Sequence, residues 1–181
     1  GRRLDLLDPS PMDIEITDIA HGLARVARWN GQTQGDWALS VAQHSIVVEQ
    51  IIQKTAPALD LKWRRAALLH DAPEYVIGDM ITPFKAFIGP AYKVIENRLQ
   101  EAVHLRFGLP AKLPERVAKT IKRADHIAAY IEAIQCAGFT LDDANTIFGR
   151  PRQIPDIQIE AWSPRMASDK FLARFAVLGG N

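Results

Sequence analysis

At 181 residues, 48% of them hydrophobic and 24% charged, the chain suits one soluble domain with a sizeable core of its own. Its 22 basic and 21 acidic side chains leave a net charge of +1, which excludes the global field that would attract a nucleic-acid polymer or a membrane surface. A lone Cys136 excludes an intramolecular disulfide, and no apolar run reaches the roughly 18–20 residues a membrane helix needs. The opening Gly1-Arg2-Arg3 has no signal-peptide stretch, so a cytoplasmic protein is expected.

Leu7-Asp8-Pro9-Ser10-Pro11 is a proline-broken lead-in, and Met12 to Ile16 alternates polar and apolar residues as a short strand would. Asp18 is placed to cap a first helix running to about Trp29, followed by the turn-rich segment Asn30 to Asp36. From about Ser40 to Thr55, Val41, Val48, Ile51 and Ile52 recur at helical spacing, and His44 sits on that stripe. The next helix runs from about Leu61 to His70 and must weaken near Asp71-Ala72, because Pro73 disfavours helical geometry in its predecessor. At such a helix end His70 and Asp71 can turn toward one point, whereas in mid-helix they would diverge by about 100°.

Glu74 to Lys85 reads as irregular and turn-bearing. A helix from about Tyr92 to Phe107 ends at Gly108 and Pro110, and a longer one from Pro114 to about Ala137 carries Asp125 on its apolar face with Ile121 and Ala128. Beyond Gly138 the pattern is less regular. Residues 157–160 alternate again, which predicts a ribbon pairing them with 13–16, and a short helix near Ser168–Val177 closes the chain. The whole reads as all-α with one core.

His44, the doublet His70-Asp71 and Asp125 are four polar or ionisable groups on three otherwise apolar helices. Burying such groups costs several kcal/mol unless something pairs with them. Each alone is more simply a hydrogen-bonded core histidine or a helix cap; together they are most simply reconciled by a shared divalent cation. Two imidazoles and two carboxylates suit Mn, Co, Fe, Ni or Zn. His21, His104 and His126 are not expected to be ligands, since His126 points about 100° away from Asp125 on a continuous helix. His104 is the one histidine between the doublet and Asp125.

The order His44, His70-Asp71, Asp125 resembles the HD-domain metal-dependent phosphohydrolases. Arg28-Trp29, Gln43-His44-Ser45, Leu69-His70-Asp71-Ala72-Pro73-Glu74, Gly78-Asp79 and Thr82-Pro83-Phe84-Lys85 are similar to the bacterial 5′-nucleotidase branch, which acts on deoxyribonucleoside 5′-monophosphates. The resemblance implies an HD-domain helical bundle over 1–181, with a metal-binding core at about 18–138 and a C-terminal extension at 139–181. It implies a metal-activated water that hydrolyses a nucleoside 5′-monophosphate. His44, His70, Asp71 and Asp125 would hold one divalent ion, Mg included among the candidates. Glu74 and Asp79 would be catalytic, handling protons. Arg28 would clamp the phosphate, Trp29 would wall the base or sugar, and Thr82 and Lys85 would contact phosphate. The partner implied is a small nucleotide, with no nucleic-acid polymer and no membrane, and a homodimer is the assembly such relatives often form.

Two departures bear on substrate. Guanosine tetraphosphate hydrolases carry an acid after the motif's glutamate, where this chain has Tyr75, and Gln43 stands where the nucleotidases often have glutamate. A hydrolase of another nucleotide, a non-catalytic metal- or nucleotide-binding regulator and a purely structural metal are the alternatives.

Overall fold

Ser40 starts the central helix. Its hydroxyl accepts from the Gln43 amide at 3.2 Å, satisfying one of the donors that every helix start leaves free. The computed structural model describes residues 3–180, apart from the side chains of Thr82, Pro83 and Ala86. Among the described residues it is helical without a sheet. The elements are α1 (Ile16–Leu23), α2 (Val41–Thr55), α3 (Leu61–Leu68), α4 (Glu74–Ile77), α5 (Thr82–Ile88), α6 (Pro90–Arg106), α7 (Glu115–Gln135), α8 (Leu141–Phe148) and α9 (Pro164–Val177). No helix is long and apolar enough to cross a membrane among these residues.

α2 is the axis of the bundle. It packs against α3, α7 and α9, and its Val41, Val48, Ile51 and Ile52 are fully buried. The core they join runs from Ile14 to Leu178 and takes in Phe171 and Phe175 of α9, so the C-terminal helix is part of the main packing. A smaller aromatic cluster lies across the far side of α7, where Trp29, Phe139 and Phe148 surround Tyr130 and Ala144.

One buried charge ties three helices together. Glu49 of α2 is fully buried and accepts from Arg64 Nε of α3 at 2.7 Å and Arg174 Nε of α9 at 2.6 Å. Removing one partner of such a group strands the others away from water, which typically costs about 3–5 kcal/mol.

Several expectations need correction. The first helix stops at Leu23. The chain then extends so that Ala27 pairs with Ser40 in an isolated antiparallel bridge, and Trp29 and Asn30 adopt left-handed φ of 56° and 52°. Glu74 to Lys85 is more regular than its turn residues suggest, since α4 and α5 flank the Gly78-Asp79 corner. α8 was not anticipated; Thr140 starts it with a capping box to Asp143.

The ribbon does not form. Residues 157–160 are extended but make no strand pairing with 13–16, where Asp13 ends a 3-10 turn, Ile14 and Glu15 are extended and Ile16 begins α1. Glutamine side chains supply the missing partners. Gln135 donates to the Ile157 carbonyl at 3.0 Å and accepts from the Ile159 amide at 2.8 Å. Gln43 donates to the Glu160 carbonyl at 2.7 Å and accepts from the Trp162 amide at 2.9 Å. Each primary amide presents one donor and one acceptor, as a neighbouring strand would. A glutamate at position 43 would have no hydrogen to give the Glu160 carbonyl.

Gly22 sets how closely α1 approaches α4. A Cβ built there would lie 2.8 Å from the Tyr75 Cβ and 3.0 Å from its carbonyl oxygen, immediately beside Glu74. Gly-to-Ala changes inside helices ordinarily stabilise by about 1 kcal/mol. Here Gly22→Ala must displace backbone, and overpacking of this kind costs roughly 1–3 kcal/mol. A lowered midpoint in thermal or urea unfolding is expected; a raised one would show that α4 yields freely.

Candidate metal centre

Three helix segments converge on one point. His44 is in the first turn of α2, held there by the Ser40 cap and by the Val41 amide donating to the Val26 carbonyl at 3.0 Å. His70 and Asp71 follow the end of α3 in a turn that closes when the Glu74 amide donates to the Asp71 carbonyl at 3.0 Å. Pro73 has no amide hydrogen to extend α3, and the chain restarts as α4 one residue later. Asp125 comes from the middle of α7.

A ligand atom from each of His44, His70 and Asp125 lies within 4.8 Å of the other two, a group that could hold a metal ion. Asp71 reaches the same place: its Oδ2 is 3.1 Å from His70 Nε2 and 3.5 Å from His44 Nε2. Asp125 Oδ1 is 3.1 Å from His44 Nε2 and 3.9 Å from His70 Nε2. The four expected ligands are therefore brought together. Asp125 is the most exposed at 41%, so the site opens on that side.

The hydrogen-bonding of the rings tests whether this set suits a cation. His70 Nδ1 donates to the Ala67 carbonyl at 2.9 Å, and a carbonyl can only accept. His44 Nδ1 donates to Glu132 Oε1 at 2.5 Å. Both rings thus spend Nδ1 on a hydrogen bond, as metal-bound imidazoles usually do. Both Nε2 atoms are buried and have no hydrogen-bond partner, although carboxylate oxygens stand close to each. Buried ring nitrogens left this way beside two carboxylates fit a divalent cation well.

The charges are strongly coupled. Burial pulls the His44 imidazole down and Arg28 adds to that, but Glu132 and Asp125 outweigh both and lift it to about 9. Burial also opposes the charged form of His70, and Asp71 and Asp125 reverse it, leaving its value well above the usual range. Burial would raise Asp71 and Asp125; the two imidazoles hold both well below the ordinary carboxylate range.

Glu74 stands apart from the other acids. Burial, then Asp71 and Asp79, push its carboxyl up to about 8 against the pull of Lys85 and Arg28. Its Oε1 accepts from Lys85 Nζ at 3.2 Å, while Oε2 is buried without a partner. Lys85 also donates to Glu96 at 3.2 Å, so its ammonium is shared between two carboxylates. The Thr82 side chain lies outside the described residues.

Sequence reasoning missed Glu132. It is fully buried on α7, seven residues after Asp125 and so on nearly the same face. Its second oxygen, Oε2, accepts from Trp29 Nε1 at 3.1 Å and from Arg28 Nη2 at 3.2 Å. Burial would raise its carboxyl, yet His44 and Arg28 hold it down at about 2. An acid among Ala128, Ile131 and Ala133 was the available signal, the same anomaly that marks Asp125.

Arg28 spans two acids, with Nη1 3.7 Å from Asp79 Oδ2 and its other nitrogens on Glu132. Trp29 is wedged against Phe139 and Phe148, with ring centroids 5.6 and 6.0 Å away. Two of the histidines not expected to be ligands hydrogen-bond to backbone carbonyls. His104 donates from Nδ1 to the Ala111 carbonyl at 3.0 Å and accepts from Gln100 Nε2 at 2.8 Å, and His126 donates to the Phe148 carbonyl. A cleft of about 580 Å³ lined by Gln34, Trp37, Cys136 and Trp162 contains none of the metal-centre residues.

Comparison with known proteins agrees with this chemistry. Residues 17–176 match the family described as 5′-deoxynucleotidase YfbR-like, an HD-domain family. The chain is also 57% identical over 180 residues to an uncharacterized protein of Rhodobacter capsulatus, covering 98% of this chain and 92% of that one. The protein thus belongs to the YfbR-like 5′-deoxynucleotidase family and is an HD-type, metal-dependent nucleoside monophosphate phosphohydrolase.

Proposed function

We propose that the chain hydrolyses deoxynucleoside 5′-monophosphates, with His44, His70, Asp71 and Asp125 holding one divalent cation. The observation that carries this reading is the pair of buried, unpartnered Nε2 atoms facing two carboxylates. Such an ion is a Lewis acid toward a phosphoryl oxygen and acidifies water near neutral pH. A cytoplasmic location is proposed with it, supported by a free, buried Cys136.

The chain's own groups divide the remaining work. Glu74 is the proton carrier: Lys85 fixes Oε1, which leaves Oε2 to take a proton from the attacking water and return it to the departing 5′ oxygen. A carboxyl poised near neutral pH serves both halves of that exchange. Asp79 helps at the leaving-group side and steadies Arg28. Arg28 stays protonated and, anchored by Glu132 and Asp79, offers its remaining N–H groups to the phosphoryl oxygens. Trp29 walls the sugar. Lys85, occupied by Glu74 and Glu96, acts through Glu74 rather than by touching phosphate.

The test is phosphate release from ribo- and deoxyribonucleoside 5′-monophosphates, with Mn, Co, Fe, Ni, Zn or Mg added to chelator-stripped protein. Metal-dependent release favouring deoxynucleotides is expected. Asp125→Ala should lose both metal and turnover. Glu74→Gln should keep metal and lose about 100- to 10,000-fold in kcat, the usual contribution of a positioned acid–base group. Turnover by a verified metal-free Asp125→Ala protein would overturn the mechanism.

Metal binding should also release protons. Without metal, His44 has its pKa raised to about 9, so at pH 7 it carries two ring protons, and a cation needs the Nε2 lone pair. Affinity should therefore rise with pH as both imidazoles give up the second ring proton. Calorimetry in buffers of differing ionisation heat would read the release; no proton release and a flat pH profile would contradict the ligand assignment.

A further inference from the structure

We propose that Glu132 is a positioning residue whose single carboxylate selects the His44 tautomer able to bind the cation and pins Arg28 and Trp29 in the substrate-facing turn. This rests on the reading of His44 as a metal ligand and of Arg28 and Trp29 as substrate contacts.

The geometry divides the carboxylate cleanly. Oε1 faces only the metal side, accepting from His44 Nδ1 at 2.5 Å. Oε2 faces only the substrate side, accepting from Trp29 Nε1 at 3.1 Å, Arg28 Nη2 at 3.2 Å and Arg28 Nε at 3.4 Å. An ionised carboxylate accepts at both atoms and donates at neither. It therefore requires hydrogen on Nδ1 of His44 and leaves Nε2 as the nitrogen that can ligate.

The substrate side needs holding. Trp29 and Asn30 lie at φ 56° and 52°, in the left-handed region, and neither is glycine. Such conformations persist only when surrounding contacts impose them. The indole hydrogen bond to Glu132 is one such contact, and the packing of the ring on Phe139 and Phe148 is another. Glu49 is the contrasting buried acid in this fold: its hydrogen-bond donors are Arg64 of α3 and Arg174 of α9.

Glu132→Gln separates the two duties. The amide has one carbonyl oxygen, and the guanidinium and indole donors will draw it to the Oε2 side. Its NH2 group then faces His44 and forces Nδ1 to accept, moving the ring hydrogen to Nε2. Mn²⁺ affinity measured by calorimetry should fall roughly 10- to 100-fold, the usual effect of losing a ligand's hydrogen-bond partner. The ring-nitrogen NMR pattern of neutral His44 should switch tautomer. KM for a deoxynucleoside monophosphate at saturating Mn²⁺ should stay near the wild-type value. Glu132→Ala removes both acceptors and should weaken Mn²⁺ binding and raise KM together.

A folded Glu132→Gln protein with wild-type Mn²⁺ affinity and the hydrogen still on His44 Nδ1 would overturn the proposal. So would an Nε2–H tautomer for His44 in the wild-type protein with Zn²⁺ bound, a result that needs no variant. If the wild-type protein bound no divalent cation at all, the metal reading itself would fail; the tautomer of neutral His44 in the metal-free wild type and Glu132→Gln proteins, read at a pH high enough to remove the second ring proton, would still report on the Glu132 contact.

Discussion

Charge taken out of water has to find opposite charge close by, and in this bundle the helices are arranged around that requirement. Two imidazoles, Asp71, Asp125, Glu132, Glu74, Arg28 and Lys85 lie within or beside one recess, most of them largely buried. Isolated, any of them would cost several kcal/mol or lose its charge. Held as a set, each acid has a base against it, while both Nε2 atoms and one oxygen of Glu74 are buried without hydrogen-bond partners. Those three atoms are the ones the proposed chemistry uses.

The scaffold reaches this arrangement by inexpensive local means. A serine cap starts α2 so that His44 falls in its first turn, and α3 ends at Leu68, leaving His70 and Asp71 in the turn before Pro73 and α4. The Ala27–Ser40 bridge brings Arg28 alongside the start of α2. Two glutamine amides hold the extended 157–162 segment against α2 and α7, and the Glu49 triad locks α2, α3 and α9. The precision of the recess is thus set by rigid helices and by loops tied down at both ends.

Much of this was legible in the chain because helical periodicity and polar anomalies are local signals. His44 on a Val/Ile stripe, His70-Asp71 before Pro73, and Asp125 between Ile121 and Ala128 each announced themselves. The main helices followed from the same spacing. What was hidden depends on distant partners. The extended 157–160 segment looked like half of a ribbon because alternation says that a strand is half-buried, not what pairs with it; Gln43 and Gln135 do. The first helix stopped short of Trp29 because the bridge to Ser40 competes with helix for the same backbone. Glu132 escaped notice although it carries the same mark as Asp125, since a single acid on an apolar face is ordinarily read as structural. Lys85 reads as a free cation until Glu74 and Glu96 are seen on either side of it.

The central claim is that one divalent ion is held by both Nε2 atoms and both aspartates, which a crystal structure of the Mn²⁺-loaded protein with anomalous scattering would test most directly. The account predicts one anomalous peak in contact with His44 Nε2, His70 Nε2, Asp71 and Asp125, with both Nδ1 hydrogen bonds intact. A peak that leaves out His44 or Asp125, two peaks in the recess, or ligation through Nδ1 would contradict it.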